Sequence, residues 1–204
     1  MNTKSELRVS LKAQRRALTP ETRARAALAV ARLVALTHWF APGKRIGLYA
    51  SMPQELGTAP LIALARARGC EIFLPRIVSL RSYRMEFVPI GAHGRFHAFG
   101  MHEPWSTDFF QARFLDTIFV PSVGLDRRGA RLGHGAGFYD RALAFRRFRR
   151  HWRGPRLVGL AYSFQVVPEI PVAPTDVFMD VLATEKGIYE PLADEDRARD
   201  LRHR

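Results

Sequence analysis

One stretch of this sequence concentrates residue types that do chemistry. Residues 120–142 read VPSVGLDRRGARLGHGAGFYDRA, with glycines at 124, 129, 133, 135 and 137, Arg131 among them and Asp140 just beyond. Closely spaced glycines let backbone N–H groups approach an anion, and the N-terminus of a following helix adds a favourable dipole. Arg131 can grip a phosphate through two parallel hydrogen bonds. Asp140 can hold Mg2+ beside such phosphates, because Mg2+ takes one or two carboxylates together with phosphate oxygens. The pattern is neither the P-loop nor the dinucleotide fingerprint, and the glycines alone equally suit tight turns of an α/β protein. Arginine, three alternating glycines, Phe138-Tyr139 and Asp140 within residues 131–140 make the combination specific.

The elements that must position these residues follow from periodicity and caps. Residues 3–18 predict an amphipathic helix with Leu7, Leu11 and Leu18 on one side. Thr19 caps a second helix with Pro20 at its first position, running to about Leu36. A strand is expected at 45–50, a loop at 51–57, a helix from Thr58 to Gly69 and a strand at 70–75, which together form a β-α-β unit of a parallel sheet. Further strands are expected at 83–88, 116–121, 156–162 and 180–185. A long loop with a short helical piece near 108–113 fills 91–115, residues 124–137 read as a glycine-rich loop, and a helix spans about 138–150. The expected fold class is α/β, a three-layer α/β/α arrangement with a mostly parallel central sheet and an N-terminal helical pair. One domain is expected over 1–190, followed by a polar, flexible tail at 191–204.

The chain has 204 residues, is 47% hydrophobic and 25% charged, and carries a net charge of +13. These values suit a globular domain and exclude disordered or collagen-like classes. Cys70 is the single cysteine, so no internal disulfide can form, which fits a reducing compartment. No apolar run suggests a membrane span or leader, and a cytoplasmic protein is expected. Residues 1–40 hold eight basic and two acidic side chains, and residues 141–156 hold seven arginines and no acid. Such clusters can bind nucleic acid, face small polyanions, or form solvated helix faces. Arginine outnumbers lysine 28 to 4, and none of the usual nucleic-acid-binding signatures is present.

The blocks RLGHGAGFYDR (131–141) and VPSVGLDRRG (120–129) resemble the nucleotide-binding signature of the 5-formyltetrahydrofolate cyclo-ligases, also called 5,10-methenyltetrahydrofolate synthetases. Lys4-Ser-Glu-Leu-Arg8, Ser51-Met-Pro-Gln-Glu55-Leu-Gly-Thr58, Arg76 after Leu-Pro, Gly159-Leu-Ala-Tyr-Ser-Phe-Gln165 and Pro174-Thr-Asp176-Val-Phe-Met-Asp180 match further family blocks in order. The resemblance covers about residues 4–187. It implies ATP- and Mg2+-dependent closure of 5-formyltetrahydrofolate to 5,10-methenyltetrahydrofolate, with release of ADP and phosphate. The formyl oxygen is phosphorylated and the folate N10 then attacks the activated carbon.

By the same resemblance, ATP is met by Lys4, Arg8, Arg131, Leu132, Gly133, His134, Gly135, Ala136, Gly137, Phe138 and Tyr139. The folate is met by Ala50, Glu55, His134, Gly135, Ala136, Gly137, Phe138 and Gln165, with Trp105 as a further pocket residue. Glu55, Arg131 and Tyr139 are the implied catalytic groups, and Asp140 and Asp176 the Mg2+ ligands. Asp180 is expected to orient nearby backbone. The sequence departs from the family at His134 and Ala136, where many members carry Arg and Lys, and at Gly57, where an acid is common. The implied partners are ATP and 5-formyltetrahydrofolate, with a monomer expected and neither membrane nor nucleic acid among the partners. The competing reading is a catalytically weak relative that binds nucleic acid or regulates.

Overall fold

The computed structural model describes residues 3–90, 109–148 and 154–192. Trp105, most of the tail and residue 108 of the expected helical piece lie outside these ranges. Helix α1 spans Lys4–Ala17 and starts where the sequence signals it. The Thr3 side chain accepts from the Glu6 N–H while the Glu6 carboxylate takes the Thr3 N–H, a reciprocal cap. Helix α2, Pro20–Ala35, starts at the Thr19 cap with proline at its first turn.

Strand β1 (Arg45–Gly47) is followed by α3 (Ala59–Ala67), β2 (Glu71–Ser79) and β3 (Arg84–Pro89). A single 3-10 turn covers Ala112–Phe114. Strand β4 (Thr117–Pro121) then leads into β5 (Gly124–Asp126) and β6 (Arg131–Leu132). Short helices α4 (Phe138–Ala142) and α5 (Phe145–Phe148) precede β7 (Arg156–Leu160), β8 (Val166–Val167), β9 (Val181–Thr184) and β10 (Gly187–Tyr189). The main sheet has the order β10-β9-β7-β4-β1-β2-β3. Its five central strands run parallel, and β3 and β10 add antiparallel edges. The fold is α/β, as its β-α-β pattern predicts.

Alternation along each strand sends side chains to two cores. Ile46, Leu74, Phe119, Val158 and Val181 pack under α2 and α3 with Val30, Val34, Leu61 and Ile62. Phe73, Ile118, Val120, Leu157 and Leu182 face the opposite side with Phe87, Leu125, Leu143 and Met179. The layer on that second side differs from expectation. The expected loop at 124–137 contains the β5–β6 hairpin, which joins β8 in a separate three-stranded sheet. The small sheet docks where β7 carries Gly159: a Cβ there would stand 2.8 Å from Leu125 Cδ2.

The two N-terminal helices serve different sheets. Helix α2 belongs to the main core, whereas α1 lays Leu7 and Leu11 on Val123, Ala130, Leu132 and Ile170 of the small one. The expected single helix at 138–150 is also corrected. It breaks at Leu143-Ala144, where the chain turns to bury Leu143 completely, and restarts at Phe145. Among the described residues, no helix is long and apolar enough to cross a membrane.

Candidate active site

In parallel sheets the loops leaving the carboxyl ends of the strands build the site. The predicted residues obey this placement. Glu55 follows β1, the segment 131–140 follows β4 and its hairpin, and Gln165 follows β7. Helix α1 closes the arrangement from the side, bringing in Lys4 and Arg8.

The hairpin turn is fixed by Asp126, whose side chain is fully buried. Its Oδ1 accepts from the N–H groups of Arg128 (2.9 Å) and Ala130 (3.0 Å). Its Oδ2 takes the Ile170 N–H (3.0 Å) and Arg128 Nη2 (2.8 Å). Gly129 completes the turn at φ +84°, and a Cβ on it would lie 2.6 Å from the Met179 carbonyl oxygen. Only glycine fits that conformation and that approach.

Beyond the turn, the Arg131 side chain is almost completely buried. Its Nη2 donates to Asp140 Oδ2 at 2.9 Å and its Nη1 to the Pro121 carbonyl at 3.2 Å. The guanidinium lies 5.6 Å from the centre of the Tyr139 ring. It also crosses beneath Gly133, where a Cβ would stand 2.7 Å from Nη1. Arg8 Nε donates to the Gly133 carbonyl at 2.9 Å, so α1 grips the glycine run directly. Gly135 and Gly137 adopt φ values of +116° and +72°. His134, Gly135 and Ala136 are exposed, which leaves this bend open to a ligand.

Both expected metal ligands already have a cationic partner. Asp140 is held by Arg131, and Asp176 Oδ2 receives Lys4 Nζ at 2.6 Å and the Ala173 N–H at 2.7 Å. Each carboxylate keeps its Oδ1 clear of hydrogen bonds among the described residues. Those residues contain no cluster of three or more His, Cys, Asp or Glu side chains able to cage a metal. A single oxygen left on each of Asp140 and Asp176 is the kind of donor that fits Mg2+, which fills most of its shell with phosphate and water.

On the facing loop, Glu55 is only 6% exposed. Its Oε2 accepts the Met52 N–H at 2.9 Å, and its Oε1 lies 3.0 Å from His134 Nε2. Its backbone carbonyl takes the Tyr162 hydroxyl, and that of Leu56 takes the Tyr49 hydroxyl, each at 3.0 Å. Ala50 is exposed at the start of this loop. The Tyr139 hydroxyl is buried and makes no hydrogen bond among the described residues. Burial raises its pKa well above that of an ordinary phenol, with the Arg131 charge opposing, so it stays a proton donor.

Burial narrows what two of the expected residues can offer. Gln165 is 1% exposed and its amide is consumed by backbone. Its Oε1 accepts the Tyr162 N–H at 3.0 Å, while Nε2 donates to the Ser122 and Val123 carbonyls. It ties the hairpin to the β7 loop with both amide atoms engaged by backbone. The Leu132 side chain points into the core with Leu11, Val123 and Ile170, leaving only its backbone for a nucleotide. Phe138 meets Tyr83 in a tilted pair with ring centres 5.6 Å apart, and Arg141 lies over the same Tyr83 ring at 4.2 Å. Asp180 does orient backbone, since its Oδ2 accepts the Leu157 N–H at 2.8 Å and its Oδ1 pairs with Arg146.

Asp126 and Arg15 were not singled out from the sequence. The signal for Asp126 was Asp-Arg-Arg-Gly, an Asx turn. Arg15 lies on the α1 face that carries Lys4, Arg8 and Leu11, at helical spacing. It is 3% exposed, with Nε buried and unpartnered and no carboxylate within ion-pair distance among the described residues. Its charge acts on the buried phenols Tyr49 and Tyr162. A buried cation without a counter-ion opposes folding, so Arg15→Met is expected to stabilise the free protein by about 1–2 kcal/mol. A thermal melt should show the midpoint rising by roughly 2–8 °C. A fall instead would mean that the guanidinium is satisfied in solution.

The arginines of 141–156 that the structure describes have separate local partners. Arg141 covers Tyr83, Arg146 pairs with Asp180, Arg147 reaches the Pro174 carbonyl, and Arg156 lies over Trp39.

Comparison with known proteins agrees with this geometry. Residues 1–185 match the model of the 5-formyltetrahydrofolate cyclo-ligase family. The mouse 5-formyltetrahydrofolate cyclo-ligase is 31% identical over 194 residues, covering 90% of this chain and 94% of the relative. The Escherichia coli K12 enzyme of the same name is 27% identical, covering 88% and 99%. The structure of Aquifex aeolicus 5,10-methenyltetrahydrofolate synthetase superposes with a TM-score of 0.72 at 30% identity, covering 92% of each chain. With the fold, the glycine run, and the Glu55 loop all in place, the chain belongs to the 5-formyltetrahydrofolate cyclo-ligase family, a family of ligase enzymes.

Proposed function

We propose that this protein closes 5-formyltetrahydrofolate to 5,10-methenyltetrahydrofolate at the expense of ATP, through a phosphorylated formyl group. The observation that carries the reading is the contact between His134 of the glycine run and Glu55 of the facing loop. The reaction must join a nucleotide phosphate to a folate oxygen, so the two substrate loops have to meet. Residues 1–190 act as a single unit in this reading, and one chain supplies every group, consistent with a monomer.

The formyl oxygen is a poor leaving group. When it takes the terminal phosphoryl group of ATP, an O–P bond forms, the bridging P–O bond breaks, and ADP leaves with that electron pair. Arg8, Lys4 and the N–H groups of 133–137 hold the phosphates, and buried Arg131 offers charge where the transferred group passes. Asp140 and Asp176 would hold Mg2+, which when bound would supply charge neutralisation at the phosphates. Phe138 and Tyr139 wall the nucleotide, and the orphaned Tyr139 hydroxyl has a hydrogen bond to give to a substrate oxygen. Ala50, Glu55 and the exposed residues 134–136 form the folate side. N10 of the same molecule then attacks the activated carbon, and phosphate departs. Holding both centres on one substrate replaces a bimolecular encounter.

The test supplies 5-formyltetrahydrofolate, ATP and Mg2+ and follows methenyl absorbance, with a metal-free control. Product that depends on enzyme, ATP and metal supports the reading. No product above background at several enzyme concentrations defeats it. The separate engagement of the described arginines at 141–156 gives no common stripe for nucleic acid, and nucleic acid has no part in this reading.

A further inference from the structure

Glu55 is a nearly buried carboxylate whose only ionisable hydrogen-bond partner, among the described residues, is an imidazole. We infer that Glu55 and His134 form one shared proton acceptor for the ring-closing step, with His134 as the positioning residue that acts through Glu55. The inference rests on the cyclo-ligase reading above and assigns a duty that reading leaves open.

The need arises from the balance of the second step. N10 enters bearing a hydrogen and leaves as the nitrogen of a methenyl bridge without one. As the N10–C bond forms, the C–O bond to phosphate breaks, its electron pair leaves with phosphate, and the N10 proton must go to a base. Glu55 Oε1 can take that proton, and the imidazole 3.0 Å away can then carry it. A carboxylic acid beside neutral imidazole and a carboxylate beside imidazolium are the same pair with the proton moved across one hydrogen bond.

The surroundings favour a pair over an isolated acid. The Met52 N–H fixes Oε2, so the carboxylate cannot rotate away from His134 without breaking its own turn. The phenols nearest Glu55 are Tyr49 on the β1 end, Tyr162 beyond β7 and Tyr139 on α4. Burial keeps all three protonated, and none can relieve it of a proton. The cations on the packed elements are committed elsewhere or directed past it. Arg8 holds the Gly133 carbonyl, Arg131 holds Asp140, Arg23 of α2 holds the Pro53 and Leu18 carbonyls, and Arg15 lies among the phenols without reaching the carboxylate. His134 is itself 35% exposed, so a proton received there can pass to solvent for the next cycle.

An arginine at 134 would hold Glu55 with a permanent charge and could not accept a proton. The substitutions His134→Gln and His134→Arg therefore separate holding from carrying. Single-turnover methenyl formation would be measured for the wild type and both variants from about pH 5.5 to about pH 8.5, where imidazole titrates. The wild type should show a limb in this range at which the rate rises with pH. In His134→Gln the rate should fall about tenfold or more and the limb should disappear. The fall in rate should exceed any change in the Michaelis constants for ATP and folate. His134→Arg should also lose the limb while keeping the wild-type melting temperature. Wild-type rates in both variants, an unchanged limb, or a loss confined to the Michaelis constants would overturn the inference and leave the cyclo-ligase reading intact. Absence of methenyl product from the wild type itself would overturn that reading.

Discussion

Asp126→Ala is expected to lower the free energy of unfolding by about 3–5 kcal/mol, the usual result of removing one partner of a buried, hydrogen-bonded charge pair. The side chain has no solvent contact, and its loss leaves the Arg128, Ala130 and Ile170 N–H groups without acceptors. It also leaves Arg128, itself mostly buried, without the carboxylate 2.8 Å from its Nη2. Each unmet buried donor costs about 1–3 kcal/mol, and the chain can relax only by opening the hairpin. Because Arg131 starts the second strand of that hairpin, activity should fall together with stability. Urea and thermal melts measure the effect, with about 2–4 °C of midpoint lost per kcal/mol in a chain of this size. Asp126→Asn should recover little, since its amide turns donors toward donors. A loss below about 1 kcal/mol would mean that the turn survives without the carboxylate.

Asp140→Asn is the second large effect, and it separates catalysis from folding. Asparagine keeps an oxygen that can accept from Arg131 Nη2 but loses the counter-charge of that buried cation, so the melting temperature should fall by a few degrees while the fold persists. It removes the negative charge that would hold Mg2+ against the phosphates, and turnover should fall by at least about tenfold, the scale of lost charge stabilisation at a phosphoryl group. The Mg2+ concentration for half-maximal rate should rise as well. Near-normal turnover at ordinary Mg2+ would place the metal elsewhere, and Asp176→Asn would then be the informative comparison. A collapse in stability would instead show that Asp140 serves mainly to neutralise buried Arg131.

Much of the frame was legible because its signals are local. Thr3 with Glu6, and Thr19 with Pro20, announce two helix starts through caps that the structure realises atom for atom. The β-α-β unit at 45–75 follows from apolar strands around a capped helix. Less legible were elements too short to show a period. Strands β5 and β6 have three and two residues, and only the Asp126 turn distinguishes them from a glycine loop. The break at Leu143 was hidden because the arginine-rich sequence is compatible with continued helix. It is the need to bury Leu143 and to bring Arg146 to Asp180 that turns the chain. Within the candidate site, residue types were readable but their partners were not. Lys4 meets Asp176 across 172 positions and His134 meets Glu55 across 79. Gln165 looked like a ligand because its polarity is visible in sequence, whereas its complete commitment to backbone is visible only in three dimensions.

The pairs Lys4–Asp176 and Arg131–Asp140 have a consequence for how a nucleotide enters. A site of bare cations would draw its ligand by releasing small ions from the surrounding solution, and its affinity would fall steeply with added salt. Here each cation already neutralises an acid of the same chain. On the proposed reading, Asp140 and Asp176 would turn to the metal of a magnesium-bound triphosphate, and Lys4 and Arg131 to its phosphates. The four side chains change partners while the local charge stays nearly balanced. On that reading the protein would serve as its own reservoir of counter-ions and would favour the metal complex, because free triphosphate would leave both acids facing like charge.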